Sequence, residues 1–312
     1  MRKVLLVALT AIVVTVMYCY IFDVRIKGDA VIGYQNDGEE LEETNVAVQT
    51  QPMVTPQVIH SSEKKAPALV AKSQMPVEYT QTLKTQSPIL DPNGWELIWE
   101  EEFDDAKLST DIWTNVERKD SFNEELQYFS PENAYIKDGC LILEAKAEEL
   151  ADKDYTSGMV ETKDKLSFMY GRIEARVRFP QPEGMLSAFW LLGCDGEYEE
   201  IDVAELVGHE NETIYGVNHY TKNRLLNKTF GYTKVEDTDA FHNYAVEWSS
   251  EEIRWYVDNE MYYSTQEGVP QQKMYIILTL AVGGEWPGRP KDDSVFPCEM
   301  AVDYIRLYKE KE

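Results

Sequence analysis

Three carboxylates crowd one short stretch of this sequence: Glu200, Asp202 and Glu205, in the run Glu199-Glu200-Ile201-Asp202-Val203-Ala204-Glu205-Leu206. On a β-strand alternate residues share a face, so Glu200 and Asp202 point the same way. Glu205 is five positions from Glu200, an odd offset that sends it to the opposite face of a regular strand. One extra residue at Val203-Ala204, a β-bulge, returns it to the same side. Glu200 and Glu205 are then four steps apart, about 13 Å between Cα atoms. Side chains leaning toward each other bring the two carboxyl groups to about 5–5.5 Å, the separation that suits glycosidic cleavage with retention and is too short for inversion. In that chemistry one carboxylate attacks and the other donates a proton, and crowding raises the pKa of the donor. Asp202, between them, is placed to hydrogen-bond the nucleophile. By spacing alone the pattern equally describes an exposed acidic strand in a chain that is acidic throughout.

The elements around this strand read as β-structure. Leu141, Leu143, Ala145 and Ala147 alternate with polar or outward positions, as do Ile173, Ala175, Val177 and Phe179 and then Tyr244, Val246 and Trp248. Ile253 to Val257, Asp258-Asn259 and Met261 to Tyr263 predict a hairpin with a two-residue turn. Met274 to Val282 and Met300 to Tyr308 add two strands. No segment holds a 3.6-residue apolar period over three turns. The expected fold is all-β, two packed antiparallel sheets forming a sandwich over residues 90–312, a length one β domain can have.

Glu200-Ile201-Asp202-Val203-Ala204-Glu205 resembles the active-site strand of glycoside hydrolase family 16, in the bulged form of its laminarinase-type members. Further segments resemble the same family in the same order. They are Trp99-Glu100-Glu101-Glu102-Phe103-Asp104, Asn123-Glu124-Glu125-Leu126-Gln127-Tyr128 and Tyr170-Gly171-Arg172-Ile173-Glu174-Ala175-Arg176. Ala188-Phe189-Trp190-Leu191-Leu192-Gly193 and Phe241-His242-Asn243-Tyr244-Ala245-Val246-Glu247-Trp248 follow. Ala281-Val282-Gly283-Gly284-Glu285-Trp286-Pro287-Gly288 and Val302-Asp303-Tyr304-Ile305-Arg306-Leu307-Tyr308 complete the set.

The resemblance implies a jelly-roll sandwich with a concave substrate cleft, and endo-hydrolysis of β-linked glucans or galactans with retention. It implies Glu200 as nucleophile, Glu205 as general acid/base and Asp202 as assisting carboxylate. Trp190 and Trp286 fall at family cleft positions, although a sandwich of this size also needs core Trp. Asn123 and Arg172 are candidate donors to sugar hydroxyls; Arg172 has an alternative as an ion-pair partner of Glu174. His219 is expected beyond the acid/base on the leaving-group side, or as a structural hydrogen-bonder. Catalysis needs no cofactor, and a structural calcium is expected at Glu102, Gly139 and Asp303, the glycine through its carbonyl. The favoured substrate is a neutral β-1,3-glucan; mixed-linkage glucan cleavage, glycan transfer and a non-catalytic glucan-binding module are the alternatives.

Composition sets the boundaries. All seven Trp lie at or after Trp95, and residues 28–89 are rich in Pro, Gln, Thr and Ser, so that stretch reads as a disordered stalk. Before it, Val4 to Phe22 carries no charge and follows Met1-Arg2-Lys3. Nineteen helical residues rise roughly 28 Å, close to a bilayer's hydrocarbon thickness. Residues 1–27 are therefore expected to be a membrane anchor with its N-terminus inside, with a cleaved signal peptide and a lipoprotein signal as alternatives. Each exports the rest of the chain. The net charge of −26 argues against nucleic-acid partners and disfavours polyanionic glycans. Cys140, Cys194 and Cys298 have no C-x-x-C spacing and give no zinc site; one disulfide with a free thiol, or three thiols, both fit. A monomer is expected.

Overall fold

In a computed structural model of the chain, which describes residues 94–311, the alternating segments become two eight-stranded antiparallel sheets. One, here the back sheet, runs in spatial order Glu260–Thr265, Ile253–Val257, His242–Trp248, Gly171–Arg178, Cys298–Glu310, Cys140–Ala145 and Ala134–Lys137. Trp95–Glu101 also pairs with Cys298–Glu310. The other, here the cleft sheet, runs Leu225–Lys234, Thr213–Lys222, Glu199–Val207, Met185–Gly193, Met274–Val282, Met159–Glu161 and Thr114–Asn115. Ser167–Phe168 adds to Met274–Val282. This is the expected jelly-roll sandwich. Among the described residues the helical pieces are short 3-10 turns, and no helix is long and apolar enough to cross a membrane. The expected anchor, residues 1–27, and the expected stalk, residues 28–89, lie outside the described residues, as do residues 90–93.

The hairpin forms where its turn chemistry predicts. Asp258 and Asn259 both adopt positive φ, 49° and 68°, as a two-residue turn requires when its twist matches that of the flanking strands. Elsewhere the two-residue period decides which side chains meet between the sheets. Ile173, Ala175 and Val177 of the back sheet pack against Ile276, Leu278 and Leu280 of the cleft sheet, all fully buried in one core. Burying such side chains contributes about 1.5–3 kcal/mol each, which fixes the register of every strand that carries them.

The strand Glu199–Val207 changes phase midway. Ile201 and Val203 are core residues at odd positions, whereas Ala204 and Leu206 are core residues at even positions. Pairing shows why: Trp190 faces Asp202 but Phe189 faces Ala204, leaving Val203 extra. On the other side Asp202 faces Val217 and Glu205 faces Tyr215, again with one surplus residue. The bulge lies at Val203-Ala204, as the spacing of the acids requires. Trp255 reaches across from the back sheet to hold it, its Nε1 donating to the Asp202 carbonyl at 2.8 Å. That approach depends on Gly216 in the next strand, where a Cβ would lie 2.4 Å from the Trp255 ring.

Candidate active site

Because the bulge resets the alternation, Glu200, Asp202 and Glu205 all leave the core and face the open side of the cleft sheet. Glu200 and Asp202 are nonetheless mostly shielded from water, with side chains 13% and 6% exposed. Tyr198, two residues before Glu200 and so on its face, donates its hydroxyl to Glu200 Oε2 at 2.5 Å. Cross-strand pairing supplies the rest of the setting. Glu200 pairs with His219, which in turn pairs with Lys228, and Glu205 pairs with Tyr215. His219 Nε2 stands 3.6 Å from Glu200 Oε1 and 3.5 Å from Asp202 Oδ2. One ligand atom each from Glu200, Asp202 and His219 lies within 4.8 Å of the others, a spacing that could hold a divalent ion.

Crowded burial controls protonation here. Burial pushes Glu200 up to about 7, and the Tyr198 hydrogen bond opposes that rise. Glu205 is pushed up to about 8, first by burial and then by the charge of Glu200, with Lys228 opposing. Asp202 rises well above the ordinary range through burial and then the two glutamates. His219 is pushed down to about 4 by burial and then by Lys228, so it is neutral near pH 7. The three acids titrate as a coupled group shifted upward, so near neutral pH a carboxylate can stand beside a carboxylic acid, the two states that a nucleophile and a proton donor need.

The other sequence candidates separate. Trp190 shares the acids' face opposite Asp202, half-buried, with Nε1 donating to Thr279 Oγ1 at 3.1 Å. Trp286 follows the positive-φ pair Gly283 and Gly284 and meets Tyr215 edge-on, ring centroids 5.1 Å apart. The Asn123 carbonyl accepts from Glu285 N at 2.8 Å, so residues 121–126 pin the loop that carries Trp286. Asn123 itself is exposed.

Arg172 does not join them. It lies on the back sheet, and because Ile173, Ala175 and Val177 face the core, Arg172 faces outward on the far side of the sandwich from the acids. Its guanidinium is spent on Glu174 at 3.2 Å, Glu247 at 3.3 Å and Asn259 at 2.9 Å. It is a buried structural ion pair, the alternative the sequence allowed. His219 also differs from expectation, since it stands beside Glu200 and Asp202 while Tyr215 occupies the place opposite Glu205.

Of the calcium candidates, Asp303 lies on the back sheet, its Oδ1 4.0 Å from the Sγ of Cys140, the residue after Gly139. Both carboxylates are already matched by cations, Glu102 with Arg306 at 2.8 Å and Asp303 with Arg176 at 2.7 Å. A calcium ion takes six to eight oxygens. Glu102 and Asp303 would supply two of these and the Gly139 carbonyl a third. None of the three cysteines of the described residues is in a disulfide.

Sequence reasoning missed Tyr198, Tyr215 and Lys228. Tyr198 had a signal, its two-residue offset from Glu200. Tyr215 and Lys228 had none, because they reach the acids through the pairing register of neighbouring strands.

A two-sheet jelly roll with two glutamates and an aspartate on one open face, raised in pKa by burial and bordered by aromatic rings, defines a carbohydrate-cleaving class of protein. The comparisons narrow the class. Residues 123–306 match the family described as glycosyl hydrolases family 16, and the chain belongs to it. A second family model, described as beta-glucan synthesis-associated protein SKN1/KRE6/Sbg1, matches residues 4–197. A beta-glucanase of Rhodothermus marinus is 37% identical over 246 residues, 69% of this chain and 85% of its own length. Glucan endo-1,3-beta-glucosidase A1 of Niallia circulans is 33% identical over 262 residues, 70% of this chain but 38% of that protein. Among solved structures, the catalytic domain of an endo-1,3-beta-glucanase (laminarinase) from Thermotoga petrophila RKU-1 is 34% identical, with a TM-score of 0.64 over 70% of this chain and 99% of that one.

If Glu200 attacks as a carboxylate while Glu205 donates a proton, the rate profile is bell-shaped, and its limbs belong to the coupled group and fall near about 7 and about 8. Stability has its own sign. The unfolded chain releases these protons near about 4.3. Between that value and the folded pKa values the native state holds more protons, so the melting temperature falls as pH rises through this window. An acid limb at 4 to 5, or a melting temperature that rises from pH 5 to 8 in wild type relative to Glu200→Gln, contradicts the assignment.

Proposed function

We propose that the chain is an endo-acting, retaining β-1,3-glucanase that works by double displacement. One observation carries this reading: the bulge puts Glu200 and Glu205 on one face with Asp202 between them, all three held above the ordinary carboxylate range by burial. Glu200 attacks the anomeric carbon while Glu205 protonates the departing glycosidic oxygen. Glu205, now a carboxylate, takes a proton from the water that releases the glycosyl-enzyme. Tyr198 holds Glu200 Oε2, leaving Oε1 as the attacking oxygen. Asp202, beside it, restrains the nucleophile, while burial and the charge of Glu200 keep a proton on Glu205. The names of the relatives favour a β-1,3-linked glucan, and the chain's net charge of −26 suits a neutral polymer.

Glycan transfer is the second reading, favoured by the match to a family described as beta-glucan synthesis-associated. It shares the first step; a sugar hydroxyl then replaces water as the group that Glu205 deprotonates.

Glu200→Gln is expected to bind laminarin while releasing reducing ends at least about 10⁴-fold more slowly than wild type, since removal of an enzymatic nucleophile costs on that order or more. Appreciable residual turnover sinks Glu200 as nucleophile. Products longer than the starting oligosaccharide in the wild-type reaction identify transfer.

The charge-free run Val4 to Phe22, which falls within the second family match, supports export with an uncleaved N-terminal anchor. A reporter fused after residue 30 is expected in the membrane fraction. Its quantitative release into the medium contradicts an anchor.

A further inference from the structure

The acids' face continues outward over two more strands, to the sheet edge formed by Leu225–Lys234. Pairing arranges it in rows. Glu200 leads to His219 and Lys228, Asp202 to Val217 and Phe230, and Glu205 to Tyr215 and Tyr232. Tyr215 and Tyr232 touch, ring centroids 5.9 Å apart, and Trp286 closes on Tyr215 from the other side. The two outermost rings are bare: Phe230 is 54% exposed and Tyr232 60%. Strands lie about 4.8 Å apart, so these rings stand roughly 10 Å from the acids, about two sugar residues along a bound chain. On the opposite side of the acids, Trp190 and Leu192 pack on Phe129, Met159, Tyr275 and Ile277.

We propose that Phe230 and Tyr232, continuing from Tyr215, form a distal sugar-binding platform two residues from the scissile bond on the open-edge side. It rests on the β-glucan reading above and adds to it a preference for long chains. The occupant follows from the chemistry of the patch. Flat apolar ring faces suit the C–H face of a pyranose, while the Tyr232 hydroxyl and the flanking Lys228 and Lys234 suit its hydroxyls. A second copy of the sheet edge is a poor occupant, since edge lysines oppose strand-to-strand association. The platform also lies in line with the acids, as one continuous glycan must.

The test compares laminarihexaose, long enough to reach the platform, with laminaribiose, which spans only the two sites flanking the scissile bond. In Tyr232→Ala and Phe230→Ala, the ratio of kcat/KM for the hexaose to that for the biose is expected to fall about tenfold, with the loss in KM. Tyr232→Phe keeps the ring and is expected to restore the ratio. A merely structural role lowers both substrates together and leaves the ratio unchanged, which overturns the platform. If the alanine variants do not fold, Tyr232→Thr and Phe230→Thr keep strand propensity and give the same readout. A wild type that cleaves the hexaose with no change of ratio in folded variants overturns the platform alone. A wild type that leaves laminarihexaose intact overturns the proposed reaction and the platform together.

Discussion

A single surplus residue at Val203-Ala204 decides which face of the cleft sheet receives each acid. Without it the core pattern of Ile201, Val203 and Leu206 could not be kept together with Glu205 on the open face. Burial of the apolar side chains and exposure of the acid demand opposite phases on the two sides of this point. The bulge satisfies both. It is held from beneath by Trp255, fully buried, whose indole donates to the Asp202 carbonyl and whose ring fits because position 216 is glycine. The core thus positions the chemistry directly: truncating a buried Trp of this kind costs about 3–5 kcal/mol, and here it would also loosen the carbonyl of the central acid.

From that geometry the electrostatics follow. Three carboxyl groups share a shielded patch, and the cation felt by Asp202 and Glu205 is Lys228, two strands away. Burial raises every acid, and neighbouring carboxylates raise Asp202 and Glu205 further. An enzyme that needs one carboxylate and one carboxylic acid obtains them from two identical side chains by environment alone. His219 stays neutral beside them, so it adds a polar edge without a charge.

Much of this was legible in the sequence, for physical reasons. The odd offset of Glu205 from Glu200 and the apolar pair between them signalled a bulge. The hairpin at Asp258-Asn259 and the strand Met274–Val282 were written in turn residues and period-2 patterning. What failed did so for a common reason. Alternation says that Arg172 faces away from the core, yet it does not say from which sheet, and the back sheet puts that side chain across the sandwich from the acids. Register between strands is likewise absent from local sequence, so Tyr215 and Lys228 were missed and His219 was expected beside the wrong acid. Arg306 and Arg176 likewise reach Glu102 and Asp303 through pairing that no spacing reveals.

The account depends most on Glu200 and Glu205 acting from one face across a short gap, with a covalent glycosyl-enzyme between two displacements. Proton NMR of the first products released from laminarin by residues 1–312 reads this directly, before the anomers equilibrate. The β anomer appearing first is the predicted result; an initial α anomer requires a single inverting attack by water and contradicts the account.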